Sequence, residues 1–286
     1  MQTRFGTLLC GLLSIVTIGP PAGAETLLER GTYLVNGIAN CGNCHSPQHP
    51  DGTLSGPALS GGKAIIGPDF VAFPPNLTPD PATGLGEWTE PQIVTALREG
   101  RTPTGQMLHP PMPVAFYRTM SDRDAQAIAV YLRSLTPVVS SVPPSQYTRP
   151  APTSYGPPIR AIADPDPNEK IVHGRYLVQI GHCMLCHTPR DATGRPDSEH
   201  REGAGGVILH GEFGEIPSPN ITQDVTYGIG GWTDAQIKAA LSRGERPDGS
   251  QLASPMPWRY LATMRDEDLD AIVAYLRQLK PIASAP

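Results

Sequence analysis

Two short segments, residues 41–45 (CGNCH) and residues 183–187 (CMLCH), share the pattern C-x-x-C-H. In this pattern two thiols can add to the two vinyl groups of a haem, and the histidine that follows can reach the iron. Disulfides would leave that histidine unexplained, zinc would lack an obvious fourth ligand, and a thioredoxin-like redox pair would need a βαβ context. The pattern therefore predicts two covalently bound haem c groups. The four attachment residues are Cys41, Cys44, Cys183 and Cys186.

Residues 1–24 have the composition of a secretory signal peptide. Arg4 precedes an apolar run that is too short to cross a bilayer, and small residues lead to an expected cleavage site after Ala24. Cleavage removes Cys10, so every remaining cysteine belongs to a haem motif. We expect a periplasmic protein with no membrane span in the mature chain.

An internal repeat extends well beyond the two cysteine motifs. Residues 31–35 (GTYLV) match 174–178 (GRYLV) at an offset of 143, and residues 131–133 match 275–277 (both YLR) at an offset of 144. Nine prolines lie between residues 136 and 170, a composition that favours extended, solvated chain. The predicted organisation is a signal peptide over 1–24, a first domain over 25–140, a Pro-rich linker over 141–168 and a second domain over 169–286.

Each repeat is predicted to be mainly α-helical, with long Gly/Pro-rich loops. Thr89 and Thr233 are each followed three residues later by glutamine, the capping-box pattern of a helix start. The last helix of each repeat shows an apolar stripe of helical period, which should pack on the first helix. Short apolar pieces at 64–66 and 207–209 predict a small hairpin in each loop region.

Methionine is the expected sixth ligand of each iron, because a thioether favours the ferrous state. Met112 and Met256 recur between prolines at the repeat offset, in a segment stiff enough to aim a side chain at a haem. Met120 and Met264 also recur, but they directly precede the last helix, where an apolar residue commonly packs in the core. The sequence favours Met112 and Met256 as ligands beside His45 and His187.

The composition limits the remaining functions. A net charge of −5 argues against nucleic acid as a partner. Only 6% of the residues are aromatic, which suggests that a cofactor helps to fill the core of each domain.

Taken together, these motifs resemble a known family. The two C-x-x-C-H segments, Asn-[Leu/Ile]-Thr, Gly-x-Gly-x-Trp-Thr, Pro-Met-Pro and a last helix with Tyr-Leu-Arg are similar to the multihaem cytochrome c subunits of periplasmic alcohol, gluconate, sorbitol or aldehyde dehydrogenases. The resemblance implies two tandem class I cytochrome c domains, each around one haem, with axial pairs His45/Met112 and His187/Met256.

The resemblance also implies an electron-transfer protein with no catalysis of its own. The expected donor is a periplasmic dehydrogenase, and the expected acceptor is a downstream cytochrome or oxidase of the respiratory chain. The alternative is a dihaem redox enzyme such as a cytochrome c peroxidase, which would need one iron with an open or displaceable sixth position.

Overall fold

The structure is a computed structural model that describes residues 25–62, 64–211, 214–253 and 255–284. The signal peptide expected over residues 1–24 lies outside these described residues. No helix in the described part of the chain is long and apolar enough to span a bilayer.

The first repeat is built from helices and a small antiparallel hairpin. Its helices are α1 (Leu27–Asn36), α2 (Cys41–His45), α3 (Glu90–Glu99), α4 (Val114–Tyr117) and α5 (Asp122–Ser134). Its hairpin consists of β1 (Ile65–Gly67) and β2 (Phe70–Ala72), which pair antiparallel.

The second repeat has the same order of elements. Its helices are α6 (Lys170–Ile180), α7 (Cys183–His187), α8 (Asp234–Arg243), α9 (Trp258–Leu261) and α10 (Asp266–Leu276). Strands β4 (Ile208–Gly211) and β5 (Gly214–Pro217) form its antiparallel hairpin. The mainly helical architecture and the hairpins are confirmed. Besides the first helix, the helix after Thr89 or Thr233 and the last helix, each repeat has two short helices, the attachment helix and one before the last helix.

The predicted helix starts are confirmed by their caps. The hydroxyls of Thr89 and Thr233 each accept a hydrogen bond from the backbone N–H of the glutamine three residues on, and the side-chain oxygen of each glutamine accepts one from the backbone N–H of the threonine. Ser121 caps α5 through the N–H of Asp124. Each cap satisfies backbone donors that the first helical turn leaves free.

The first and last helices of each repeat cross in close contact. A Cβ placed on Gly31 of α1 would lie 2.0 Å from the carbonyl oxygen of Ala127 in α5. The equivalent Cβ on Gly174 of α6 would lie 1.9 Å from the carbonyl oxygen of Ala271 in α10. These glycines let the two backbones touch, and the apolar stripe of each last helix faces this crossing, as predicted.

The proline-rich segment between the repeats packs on the first repeat. Strand β3 (Gln146–Tyr147) extends the first hairpin, and the ring of Tyr147 stacks on His109 with centroids 3.8 Å apart. Tyr155 donates a hydrogen bond to the carbonyl oxygen of Leu108 (2.9 Å). The segment is extended, as its composition predicts, but backbone pairing holds it to β2 and two tyrosine side chains hold it to the loop that precedes α4.

Candidate haem attachment sites

The histidine of each C-x-x-C-H motif is oriented by a backbone carbonyl. The Nδ1 atom of His45 lies 2.8 Å from the oxygen of Pro75, and that of His187 lies 2.9 Å from the oxygen of Pro219. A carbonyl can only accept, so Nδ1 carries the proton and Nε2 keeps its lone pair for a metal. Both rings are therefore in the tautomer that an iron ligand requires.

Burial also favours the neutral form of these rings. It lowers the pKa of His45 and of His187, although the hydrogen bonds to Pro75 and Pro219 act in the opposite direction. A neutral imidazole is the form that binds a metal.

The cysteines lie on single-turn helices whose geometry places both thiols on one side. Helices α2 and α7 each begin at a cysteine and follow a residue in the left-handed region, Asn40 at φ 37° and His182 at φ 44°. The second cysteine comes three residues later, so the two side chains of each motif share one helix face. This arrangement suits attachment of one group at two points.

The surroundings of the four thiols differ from those of a thioredoxin-like redox pair. No disulfide joins any of the four in the structure. Burial raises the pKa of Cys41 and of Cys183 to about 12 and that of Cys44 to about 11. A thioredoxin-like pair needs a lowered thiol pKa instead. In the described residues, no cluster of three His, Cys, Asp or Glu side chains forms a zinc site. The donor set thus fits haem c better than any of the alternatives.

Asn76 and Asn220 fix the carbonyls that hold the histidines. Asn76 follows Pro75 and is 1% exposed; its amide nitrogen donates to the oxygen of Val138 (2.8 Å), and its amide oxygen accepts from the N–H of Thr78 (2.9 Å). Asn220 makes the matching bonds to Ile282 and Thr222. The sequence showed the repeated Asn-x-Thr but not its role, which depends on chain about 60 residues away.

The two methionine pairs differ in burial. Met120 and Met264 are 0% and 7% exposed and belong to the hydrophobic core. Met112 and Met256 are partly buried at the edge of that core, in the loops before α4 and α9. Met256 borders an open cleft of about 260 Å³ that is also lined by Asn43 and Asp51 of the first repeat.

The two attachment segments meet where the repeats touch. A Cβ on Gly181, just before α7, would lie 2.7 Å from Cδ1 of Ile38, just before α2. The rings of Tyr117 and His182 make an edge contact across the same boundary, with centroids 6.0 Å apart. The four C-x-x-C-H cysteines are therefore grouped around one junction between the repeats.

Comparison with known proteins agrees with this site. The family described as "Cytochrome c" matches residues 28–136 and 171–280. The gluconate 2-dehydrogenase cytochrome c subunit of Pantoea cypripedii is 28% identical over 98% of this chain and 65% of its own length. The fructose dehydrogenase cytochrome subunit of Gluconobacter japonicus is 31% identical over 91% of this chain and 54% of its own length. A "Diheme cytochrome c-type" of Cereibacter sphaeroides is 33% identical over 91% of this chain and 88% of its own length.

The chain thus spans less than two thirds of the length of the first two relatives and most of the length of the third. The two family matches cover both repeats, so each C-x-x-C-H motif lies in its own matched region.

Proposed function

Because this chain belongs to the cytochrome c family and carries two covalently bound haem c groups, we propose that it is an exported dihaem electron carrier. It takes single electrons from a periplasmic dehydrogenase and passes them to a downstream cytochrome or oxidase. The observation that carries this proposal is the duplicated motif in which each histidine is held by a proline carbonyl with Nε2 available. The names of the dehydrogenase cytochrome subunits support the choice of donor.

The proposed haem-binding residues occupy equivalent positions in the two repeats. Cys41 and Cys44 would form the thioethers of the first haem, and Cys183 with Cys186 those of the second. His45 and His187 would each bind one iron through Nε2. Met112 and Met256 would each supply the second protein ligand of one iron, because they are the recurring methionines that the core does not enclose.

The proposed domains are 25–140 and 169–286, with 141–168 as the linker. A haem supplies an iron that gains or loses one electron without breaking bonds. The residues of each domain would hold that iron through a histidine and a methionine and exclude water through the surrounding core, while Pro75 or Pro219 fixes the imidazole. An iron held by both side chains would have no vacancy for a substrate, which favours a carrier over a peroxidase.

Carbon monoxide binding tests this proposal. The reduced protein should bind carbon monoxide slowly or not at all at neutral pH and should turn over little hydrogen peroxide. Met112→Ala and Met256→Ala should each gain carbon monoxide binding at one haem, whereas Met120→Leu and Met264→Leu should not. Rapid stoichiometric binding at one haem of the unmodified protein would favour a peroxidase-like enzyme.

The donor is tested by purifying the untagged protein from its own periplasm. A dehydrogenase that copurifies at equal stoichiometry and reduces both haems on addition of its substrate would support the proposal. If the protein purifies without any partner and no dehydrogenase of the periplasm reduces it, the choice of donor is contradicted. The cleavage site is checked on the same material, whose N-terminus should begin at Glu25.

A further inference from the structure

The two repeats exchange hydrogen bonds through equivalent residues. Tyr33 of α1 donates to Oδ2 of Asp268 in α10 (2.5 Å), and Tyr176 of α6 donates to Oδ2 of Asp124 in α5 (2.6 Å). Tyr33 and Tyr176 occupy the same position of the repeat, and so do Asp124 and Asp268. Each repeat therefore offers one tyrosine and one aspartate to the other, and we call these two bonds the reciprocal joint.

Each aspartate of the reciprocal joint is also held within its own repeat. Arg30 donates two hydrogen bonds to Asp124, at 2.7 and 2.8 Å. At the position equivalent to Arg30, Nε2 of His173 lies 2.6 Å from Oδ1 of Asp268. The two carboxylates are 1% and 5% exposed. These partners fix each carboxylate within its own repeat. The hydrogen bond from the tyrosine hydroxyl of the other repeat therefore depends on how the two repeats are placed relative to each other.

Each tyrosine hydroxyl also accepts a hydrogen bond from the far repeat. The backbone N–H of Arg265 donates to the hydroxyl of Tyr33 (3.1 Å), and that of Ser121 donates to the hydroxyl of Tyr176 (3.2 Å). Both N–H groups lie at the residue just before a last helix. Each hydroxyl thus bridges two groups of the opposite repeat, which makes its position sensitive to both translation and rotation.

Further hydrogen bonds join the two repeats near the junction where the two attachment segments touch. The junction also includes Tyr260 of α9, whose hydroxyl accepts a hydrogen bond from Nε2 of Gln48, just after the first motif (3.2 Å). Thr263 adds a bond from its hydroxyl to the carbonyl oxygen of Asn36 at the end of α1 (3.0 Å). Since each haem is bonded to its own attachment helix, the placement of the repeats sets the placement of the haems.

We propose that Tyr33 and Tyr176 are positioning residues for electron exchange between the two haems. Electron tunnelling falls steeply with the distance between two redox centres, so a small shift of one repeat slows the exchange. The reciprocal joint holds both repeats in the arrangement that brings the two C-x-x-C-H segments together. The inference rests on the proposed function, because it assigns these residues a part in electron transfer through a dihaem carrier.

The test compares Tyr33→Phe, Tyr176→Phe and the double variant with a matched pair, Tyr131→Phe and Tyr275→Phe. The matched tyrosines also recur at the repeat offset, but their hydroxyls bond within their own repeats, to Asn36 (3.1 Å) and Glu202 (2.9 Å). All variants are made in the full chain with both haems. The rate of electron transfer between the haems is measured after pulsed photoreduction, and the exciton coupling of the two haems is measured by circular dichroism in the Soret region.

The double variant should slow the transfer between the haems by about tenfold, and each single variant by roughly threefold, because each lost hydroxyl removes two hydrogen bonds to the opposite repeat and lets the repeats shift. The exciton signal should fall with the rate. Haem content and the absorption band of the methionine–iron bond should stay as in the unmodified protein, because the ligands are untouched. The matched variants should keep both the rate and the exciton signal.

Unchanged rate and exciton signal in the double variant would overturn the inference, as would equal losses in the matched variants. A double variant that fails to fold is replaced by the singles, whose loss or retention of the exciton signal decides in the same way. Failure of the proposed function is distinguishable, because it would show in the unmodified protein as missing haem, open irons or no reduction by a dehydrogenase.

Discussion

Methionines at two positions of each repeat have different surroundings, and this difference can be tested residue by residue. Met112→Ala or Met256→Ala should remove about half of the weak far-red band of the methionine–iron bond, because each variant loses one of two proposed ligands. Met120→Leu and Met264→Leu should keep the whole band and cost less than about 1.5 kcal/mol, since they preserve the volume of a core side chain. Absorption spectra of the oxidised proteins and urea titrations measure both effects. A loss of the band in Met120→Leu would contradict the assignment.

Asn76 connects Pro75, whose carbonyl orients His45, to the end of the first repeat. Asn76→Ala should lower the free energy of unfolding by about 3 kcal/mol, because buried groups of Thr78 and Val138 lose their partner. The exposed Asn168, whose amide donates a hydrogen bond to the nearby Asp166, provides the control: Asn168→Ala should change stability by less than about 0.5 kcal/mol. Urea unfolding followed by Soret absorption measures both variants. Equal stability of the two variants would show that Asn76 is not an anchor.

At the scale of the elements, the crossing of α1 over α5 depends on a missing side chain. Gly31→Ala should lower the free energy of unfolding by about 3 kcal/mol, because its Cβ would lie 2.0 Å from a backbone oxygen and the helices must separate. Gly174→Ala should do the same in the second repeat. Gly231→Ala is the control, since its Cβ would meet nothing closer than 3.8 Å. Thermal unfolding of the three variants tests the crossing, and similar losses in all three would contradict it.

At the scale of the whole molecule, the reciprocal joint should be sensitive to acid. Burial by itself would raise the pKa of Asp268, but hydrogen bonds from His173 and Tyr33 lower it overall. A carboxyl with a lowered folded-state pKa stabilises the protein above its unfolded pKa of about 3.9, and this contribution is lost as the pH falls through the folded value. We therefore expect the urea midpoint to fall below about pH 4.

Asp268→Asn is the control for this acid effect. The urea midpoint of this variant should be lower than that of the unmodified protein at about pH 6. Between about pH 4 and about pH 2 it should depend less steeply on pH, because one carboxyl no longer titrates. Parallel profiles for the two proteins would show that Asp268 does not contribute.

Local chemistry explains why the sequence predicted the elements of this molecule well. The partners of the capping boxes at Thr89 and Thr233 are only three residues apart in the chain, and the apolar stripe of each last helix can be recognised within a few helical turns. The C-x-x-C-H segments carry both thiols and the imidazole within five residues. Fold class and cofactor could therefore be predicted before any packing was known.

Contacts between residues that are far apart in the chain could be found only from the tertiary structure. The carbonyl that orients His45 lies 30 residues away, and Tyr33 bonds to a carboxylate 235 residues away. The packing of the proline-rich segment on the first repeat was likewise not visible in its composition, which favours extended chain but does not say what the chain touches. The sequence by itself determined what each repeat binds, because haem attachment and helix formation depend on residues that are close in the chain. Only the tertiary structure decided how the two repeats face each other, because that arrangement depends on side chains that are distant in the chain and adjacent in space.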